Sequence, residues 1–333
     1  MAPDHTSPDI PASFFGMPLG LLALAIAWRG AAPLWGLPHA IADVLLGVGS
    51  LLWVVLLLQY LRKWMAQRAA AVAEFEHPVQ CCFVGLGGVD ALLASIGWAP
   101  YSRTAALWLL IIGVTWVVAF GLYRTGRLWQ GERAPETTTA VLYLPTVGGF
   151  LVSASAAATL GWPDWGQLAF GAGVLSWLAI ESVLLHRLYT AAQLPPALRL
   201  TLGIQLAPPA VAAVAYLNVG GGAPDLIAHA LVGYGLLQAL ILIRLWPWLK
   251  AAGQTTAWWG FSFGAAALPT AAIKLVARGD TGAVATLAPY LFIAGNLVIA
   301  TVAVMTVLLA LRGKLVGPAG TRASVTAAPT VLR

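Results

Sequence analysis

The chain has 333 residues, of which 60% are hydrophobic and only 9% are charged, against roughly 25% charged residues in an ordinary soluble domain. So little polarity excludes a soluble globular fold. Apolar stretches of about twenty residues, the length that a helix needs to cross the hydrocarbon core, recur along nearly the whole chain. We therefore predict an all-α integral membrane protein.

Ten apolar segments, separated by loop signals, are predicted to span the membrane. Their approximate bounds are 12–29, 39–61, 78–97, 103–123, 139–161, 164–186, 199–218, 225–246, 256–277 and 285–311. Tight turns such as GWPD and NVGGGAPD alternate with longer basic linkers, so consecutive helices are expected to pair as five hairpins. The predicted organisation is a cytoplasmic N-terminal segment (1–11), a channel domain (12–312) and a disordered cytoplasmic tail (313–333).

The basic residues give the orientation. All Lys and Arg residues but four lie in the termini and in the linkers that follow even segments; the exceptions are Arg29, Arg103, Lys274 and Arg278. The positive-inside rule then places both termini in the cytoplasm. The net charge of +6 is thus interpreted as a topology signal, and no nucleic-acid partner is expected.

The odd segments are interrupted near their middle by proline or, in segment 3, by a glycine cluster. These residues are Pro18, Pro145, Pro208 and Pro269 in segments 1, 5, 7 and 9, and Gly85, Gly87 and Gly88 in segment 3. The even segments have no mid-span proline and carry glycine pairs instead: GVG at Gly47 and Gly49, GAG at Gly171 and Gly173, and GYG at Gly233 and Gly235. Proline inside a helix frees backbone polar groups, which a membrane protein tolerates only inside protein or beside a water-filled cavity. We therefore expect the odd helices to line a central pore and the even helices to pack outside them.

Side chains that could carry out a reaction are scarce. No enzymatic motif is recognisable, the five histidines are scattered, and Cys81 and Cys82 have no second pair with which to form a metal site. We predict no enzymatic activity, no cofactor and no metal.

Four ionisable residues in the spans stand out, because such residues are costly in a membrane and usually functional. Asp43 lies close enough to the end of segment 2 to reach the interface. Asp90 lies deep in an inner segment. Glu181 lies deep in an outer one, where a hydrogen-bonded carboxylate and a proton relay are both open. Lys274 lies close enough to the end of segment 9 to reach the interface.

The odd segments are poor in charge, so a pore that they line binds ions weakly, as conduction requires. The N–H groups of half-helix N-termini exposed at the breaks would favour anions. In segment 9, Phe261 and Phe263 are two residues apart, so only one of them should face the pore axis. Core or lipid-facing packing is the alternative to an occluding role.

Several motifs together resemble the tellurite-resistance/dicarboxylate transporter family, which includes the bacterial TehA proteins and the plant guard-cell slow anion channels. They are FFGMPLGLLALAIAW at 14–28, LWQG at 128–131, YLPTV at 143–147, FGAG at 170–173, GYGLLQ at 233–238, RLWPW at 244–248 and FSFG at 261–264. The resemblance runs from about residue 11 to residue 312.

This resemblance implies ten helices arranged as five hairpins, a pore in each subunit, a homotrimer and a location in the bacterial inner membrane. It implies that Phe263 is the aromatic gate and that the four prolines kink the lining helices. Glu181 matches a carboxylate of the family. The glycines of GLGG, where TehA-like chains can carry proline, and Lys274 are local departures that could widen the pore and bias its mouth toward anions.

Two functions remain open. The leading hypothesis is a gated passive channel for small inorganic or organic anions. The alternative is a proton-coupled transporter of dicarboxylates or tellurite-type oxyanions, for which Asp90 and Glu181 would be the coupling groups.

Overall fold

The computed structural model describes residues 10–131 and 135–315. These residues contain ten helical segments long and apolar enough to cross a membrane, and they contain no strand. The segments, named spans 1 to 10, are Ala12–Trp35, His39–Ala66, Gln80–Trp98, Arg103–Trp129, Ala140–Thr159, Pro163–Thr190, Pro196–Val219, Leu226–Arg244, Thr256–Ala277 and Ala283–Leu311. The predicted all-α class and the number of spans are confirmed.

The helices are longer than predicted at several ends. Span 4 continues to Trp129 rather than ending at residue 123, and the linker after span 2 contains a short helix of its own, Arg68–Glu76. Most of the predicted terminal segments, residues 1–9 and 316–333, lies outside the described residues.

Burial alternates along the chain. In the most apolar stretch of each odd span, between 72% and 89% of the residues are buried inside the protein, whereas the share in the even spans is between 22% and 33%. The exposed residues of the even spans include large apolar side chains such as Trp108, Leu168 and Ile243. The even spans therefore present the apolar surface that a bilayer or a neighbouring subunit would cover.

The odd spans contact one another in a closed circuit. Span 1 packs against span 3, span 3 against span 5, span 5 against span 7, span 7 against span 9, and span 9 against span 1. Each odd span also packs against the even span that follows it in the chain. The five odd spans consequently form a closed ring of neighbours, with the even spans packed against it.

Every odd span changes its winding part-way along, and the even spans do not. Each odd span has a 3₁₀ stretch before its main α-helix, and span 5 also has a π-helical turn, Leu144–Gly148. The 3₁₀ stretches are Ala12–Phe15, Gln80–Gly85, Ala140–Leu142, Leu200–Leu206 and Thr256–Phe261. The α-helices that follow begin at Gly16, Leu86, Gly149, Ala207 and Ser262.

In the described spans the predicted breaks are therefore changes of winding, and a 3₁₀ or π-helical turn precedes each predicted half-helix N-terminus. Pro18 and Pro208 lie in the first turn of an α-helix, where a missing N–H costs least. Because they cannot donate to a carbonyl one turn back, the preceding turn takes another winding. Seven consecutive 3₁₀ residues, as in Leu200–Leu206, are uncommon and typical of strained or hinge segments.

Glycine pairs position the even spans. In GVG, GAG and GYG the second glycine packs closely: a Cβ at Gly49, Gly173 or Gly235 would lie 2.9, 2.8 and 2.8 Å from Leu22, Leu151 and Leu268, respectively. The first glycine of each pair has nothing within 4 Å of that point. Two residues on a helix point about 200° apart, so one glycine faces the odd spans and the other faces outward.

Candidate functional site

A cavity of about 1000 Å³ opens between the N-terminal ends of the odd spans. All five odd spans contribute to its wall. Its mouth is lined by Lys63, Glu74 and Gln254, and by Lys314 just after span 10. We call this cavity the vestibule.

The deep end of the vestibule is apolar. On each odd span, the last residue to line the vestibule is a buried apolar side chain, and no lining residue of the described chain lies farther along that span. These five residues, which we call the apolar ring, are Leu19, Val89, Leu151, Val211 and Phe263. The ring carries neither charge nor hydrogen-bonding side chains, so it offers an ion no substitute for its hydration shell.

The two phenylalanines of FSFG have different surroundings. Phe263 belongs to the apolar ring. Phe261 is not among the vestibule-lining residues; its ring stacks at 5.2 Å on Trp258 and covers Gly203 of span 7. Phe263 thus lines the vestibule, whereas Phe261 belongs to the packing between spans 7 and 9.

Most residues of the predicted breaks lie behind the vestibule wall rather than in it. Of the seven, Pro208 lines the vestibule. The expectation that Gly85, Gly87 and Gly88 widen a pore is not met, because all three pack against span 4, where a Cβ would come within 3.0 Å of Phe120 or Trp116. These glycines make room for bulky aromatic side chains of the outer helix.

The three remaining prolines are buried as well. Pro18 lies one residue before Leu19 of the apolar ring, Pro145 lies in the π-helical turn of span 5, and Pro269 lies in the interior of the span 9 helix. They set the winding of the odd spans without forming the surface of the vestibule.

Glu181 lies at the centre of a hydrogen-bond network. Its carboxylate accepts from Trp177 Nε1 at 2.9 Å, Gln205 Nε2 at 3.1 Å, Tyr234 Oη at 2.6 Å and the Tyr143 hydroxyl. These donors come from spans 5, 6, 7 and 8. A buried carboxylate with four donors ties these spans together, so the geometry favours the hydrogen-bonded interpretation of Glu181 over a proton relay.

Asp90 and Lys274 lack polar partners among the described residues. Asp90 follows Val89 of the apolar ring and is 0% exposed. Neither of its carboxyl oxygens has a hydrogen-bond partner among the described residues. Lys274, near the end of span 9, is half-buried and makes no ion pair or hydrogen bond with the described residues. These are the two ionisable groups of the odd spans whose positions packing does not explain.

The other three basic residues at the far end, opposite the mouth, have structural partners. Arg29 donates to Gly97 O, Arg103 donates to Leu160 O at 2.9 Å, and Arg278 donates to Gly220 O at 3.0 Å and to Leu217 O. These carbonyls lie at the ends of spans 3, 5 and 7, where a helix leaves acceptors unpaired and its dipole favours a cation. This explains why these arginines depart from the basic-linker pattern.

Sequence reasoning missed four members of the apolar ring and all the donors to Glu181. Leu19 and Val89 directly follow Pro18 and Gly88, so alignment of the five odd segments on their breaks could have indicated them. Nothing local marks the Glu181 donors, because they come from four different spans.

The fold and the cavity together define a polytopic helical membrane protein with an internal vestibule closed at one end by apolar side chains. Residues 9–307 match the sequence profile of a family described as voltage-dependent anion channel. The chain belongs to this family, whose members are anion channels and transporters rather than enzymes.

Individual relatives support this assignment. The tellurite resistance protein TehA homolog of Haemophilus influenzae is 35% identical over 302 residues, which cover 90% of each chain. The S-type anion channel SLAH2 of Arabidopsis thaliana is 24% identical over 273 residues, 79% of this chain and 52% of that protein. An uncharacterized transporter of Methanocaldococcus jannaschii, MJ0762, is 23% identical over 280 residues, covering 77% and 81%. The resemblance drawn from the motifs is confirmed.

Proposed function

We propose that this protein is a gated passive anion channel whose pore follows the common axis of the odd spans. The observation that carries this proposal is the apolar ring, in which one buried apolar residue from each odd span ends the vestibule. Such a constriction blocks hydrated ions until its side chains move aside. Phe263 is the gate, because it is the only aromatic member of the ring.

The preference for anions rests on three features. The odd spans all begin around the vestibule, so the positive ends of five helix dipoles surround an entering anion. The mouth carries Lys63 and Lys314. At the far end, Lys274 is the basic residue not used to cap a helix, and we assign it to attracting anions there.

Replacing Phe263 by Ala in oocytes or planar bilayers tests the gate. We expect anion current well above the wild-type level. Phe292→Ala is the matched control, because Phe292 packs on Trp28 and Trp35 at 5.0 and 5.4 Å between ring centroids, away from the vestibule wall. An unchanged current from Phe263→Ala protein that reaches the membrane would overturn the assignment.

The second candidate is a proton-coupled transporter of dicarboxylates or tellurite-type oxyanions. Asp90 favours it, because a buried carboxyl with no hydrogen-bond partner beside the apolar ring is free to exchange a proton. Uptake into proteoliposomes would then follow a pH gradient and weaken in Asp90→Asn. Voltage-driven anion flux that is indifferent to the gradient would exclude coupling.

We further propose that the protein lies in the bacterial inner membrane as a homotrimer, with both termini and the vestibule mouth in the cytoplasm. The basic linkers support the orientation, and the exposed apolar side chains of the even spans support subunit or lipid contact. Cysteine-accessibility labelling of residues at the mouth and far end, together with the mass of the detergent-purified assembly, tests both statements.

A further inference from the structure

The vestibule mouth contains an ion pair that the gate does not use. Lys63, in the last turn of span 2, donates to Glu74 Oε2 at 2.7 Å, and the two side chains are 5% and 9% exposed, respectively. Both residues line the vestibule. Glu74 belongs to the short helix Arg68–Glu76, which joins spans 2 and 3.

Glu74 also contacts the beginning of span 1. Its Oε1 accepts the backbone N–H of Ala12, the first residue of span 1, at 2.8 Å. The carboxylate is therefore held in place from two sides and cannot swing away from the mouth. Its negative charge is a fixed feature of the entrance.

The charges around the vestibule are few. Among the described residues of its wall, Glu74 is the only acidic side chain, and Lys63 and Lys314 are the lysines. His77, also in the wall, accepts the N–H groups of Val79 and Gln80 at Nδ1. Within the described part of the wall, Glu74 thus offsets part of the positive charge that an entering anion meets.

We propose that Glu74 sets the conductance and the anion selectivity of the channel by lowering the positive potential of the vestibule. This inference rests on the proposed channel function. A unit charge near the path of an ion acts through Coulomb's law and is screened by salt. Removing the Glu74 charge should therefore strengthen anion entry at low ionic strength, and removing a lysine charge should weaken it.

The experiment uses the full chain carrying Phe263→Ala, reconstituted in planar bilayers. At about 0.01 M salt, where the Debye length is about 30 Å, we expect Glu74→Gln to raise anion conductance roughly two-fold to five-fold. The reversal potential should move toward the anion equilibrium potential. Lys63→Gln and Lys314→Gln should shift both quantities in the opposite direction.

The matched control is Glu76→Gln, which removes the same charge two residues away on the same helix from an exposed side chain outside the vestibule wall. We expect it to leave conductance unchanged. The Glu74→Gln variant keeps a side-chain oxygen that can accept the N–H of Ala12. Lys314→Gln leaves the Lys63–Glu74 pair intact. The charge test therefore does not depend on the folding of a single variant.

The outcomes separate the two proposals. At about 1 M salt, where the Debye length is about 3 Å, the charge variants should converge on the parent. A Glu74→Gln effect equally large at that salt, or no difference from Glu76→Gln at low salt, overturns the role of Glu74 while the channel stands. Absence of anion current in the Phe263→Ala parent overturns the channel proposal and, with it, this inference.

Discussion

The ring of Phe261 lies directly against Gly203, so closely that a side-chain carbon on Gly203 would overlap it. Gly203 lies within the seven-residue 3₁₀ stretch of span 7, and Phe261 is the last residue of the 3₁₀ stretch of span 9. Two residues later, Phe263 enters the apolar ring. The contact fixes the register in which span 9 presents its aromatic side chain to the vestibule.

Gly203→Ala should destabilise the protein by about 1–3 kcal/mol, because the added methyl group displaces Phe261 from a packed interface. The measurement is the melting temperature of the detergent-purified protein. Gly171→Ala, on an outward face of span 6 with nothing within 4 Å of the added carbon, is the control and should be neutral. Equal melting temperatures for the two variants would show that the contact between Gly203 and Phe261 accommodates a methyl group without loss of stability.

The apolar ring predicts that occlusion depends on side-chain volume. In a Phe263→Ala channel, Val211→Phe should lower the anion current again, because Val211 of span 7 lines the same deep end of the vestibule. Val183→Phe, the same exchange at an exposed position on span 6, should leave the current high. Recordings of the two double variants in bilayers decide this, and equal currents would contradict the ring.

Glu181 and Asp90 should differ in their effect on stability. Glu181→Ala leaves the buried donors of Tyr143 and Trp177 and the partly buried hydroxyl of Tyr234 without the carboxylate that accepts from them, at a cost of about 1–3 kcal/mol each. Asp90→Ala removes a carboxyl that accepts no hydrogen bond, so the melting temperature should change far less. A larger fall for Asp90→Ala would mean that its carboxyl stabilises the fold after all.

The far-end residues Arg278 and Lys274 should separate stability from conduction. Arg278→Ala removes the donor to the carbonyls that end span 7, and we expect a loss of about 1 kcal/mol in stability. Lys274→Ala removes no such bond and should lower the anion current of the Phe263→Ala channel without changing the melting temperature. A current unaffected by Lys274→Ala would remove it from the conduction path.

The stability of the fold should depend on pH through Asp280, which lies in the loop between spans 9 and 10. Burial alone would raise the pKa of Asp280, but hydrogen bonds from the Gly282 N–H and from His229 lower it. A lowered carboxyl pKa stabilises the fold above the unfolded-state pKa of about 3.9, and this stabilisation is lost as pH falls through the folded-state pKa. The melting temperatures of wild type and Asp280→Asn should thus differ at pH 7, and the difference should shrink only as pH falls below about 3.9 and through the lowered folded-state pKa. A constant difference would contradict the linkage.

Part of the candidate site was accessible from the sequence. The recurrence of Pro18, Pro145, Pro208 and Pro269 in odd segments indicated which helices are buried, because a helix that departs from α winding cannot be left facing lipid. The same pattern did not show that these residues lie behind the vestibule wall, because which face of a helix turns inward depends on its neighbours. Trp116 and Phe120 decide this for the glycines of span 3.

The sequence by itself determined the membrane class, the ten spans and the family, because hydropathy and motifs are properties of consecutive residues. Only the tertiary structure brought Leu19, Val89, Leu151, Val211 and Phe263 together, and joined Glu74 to Lys63 and Ala12. Such sites are made by side chains far apart in sequence. Their positions follow from how the odd spans pack in a circuit and from where each changes its winding, and neither property is local to any segment.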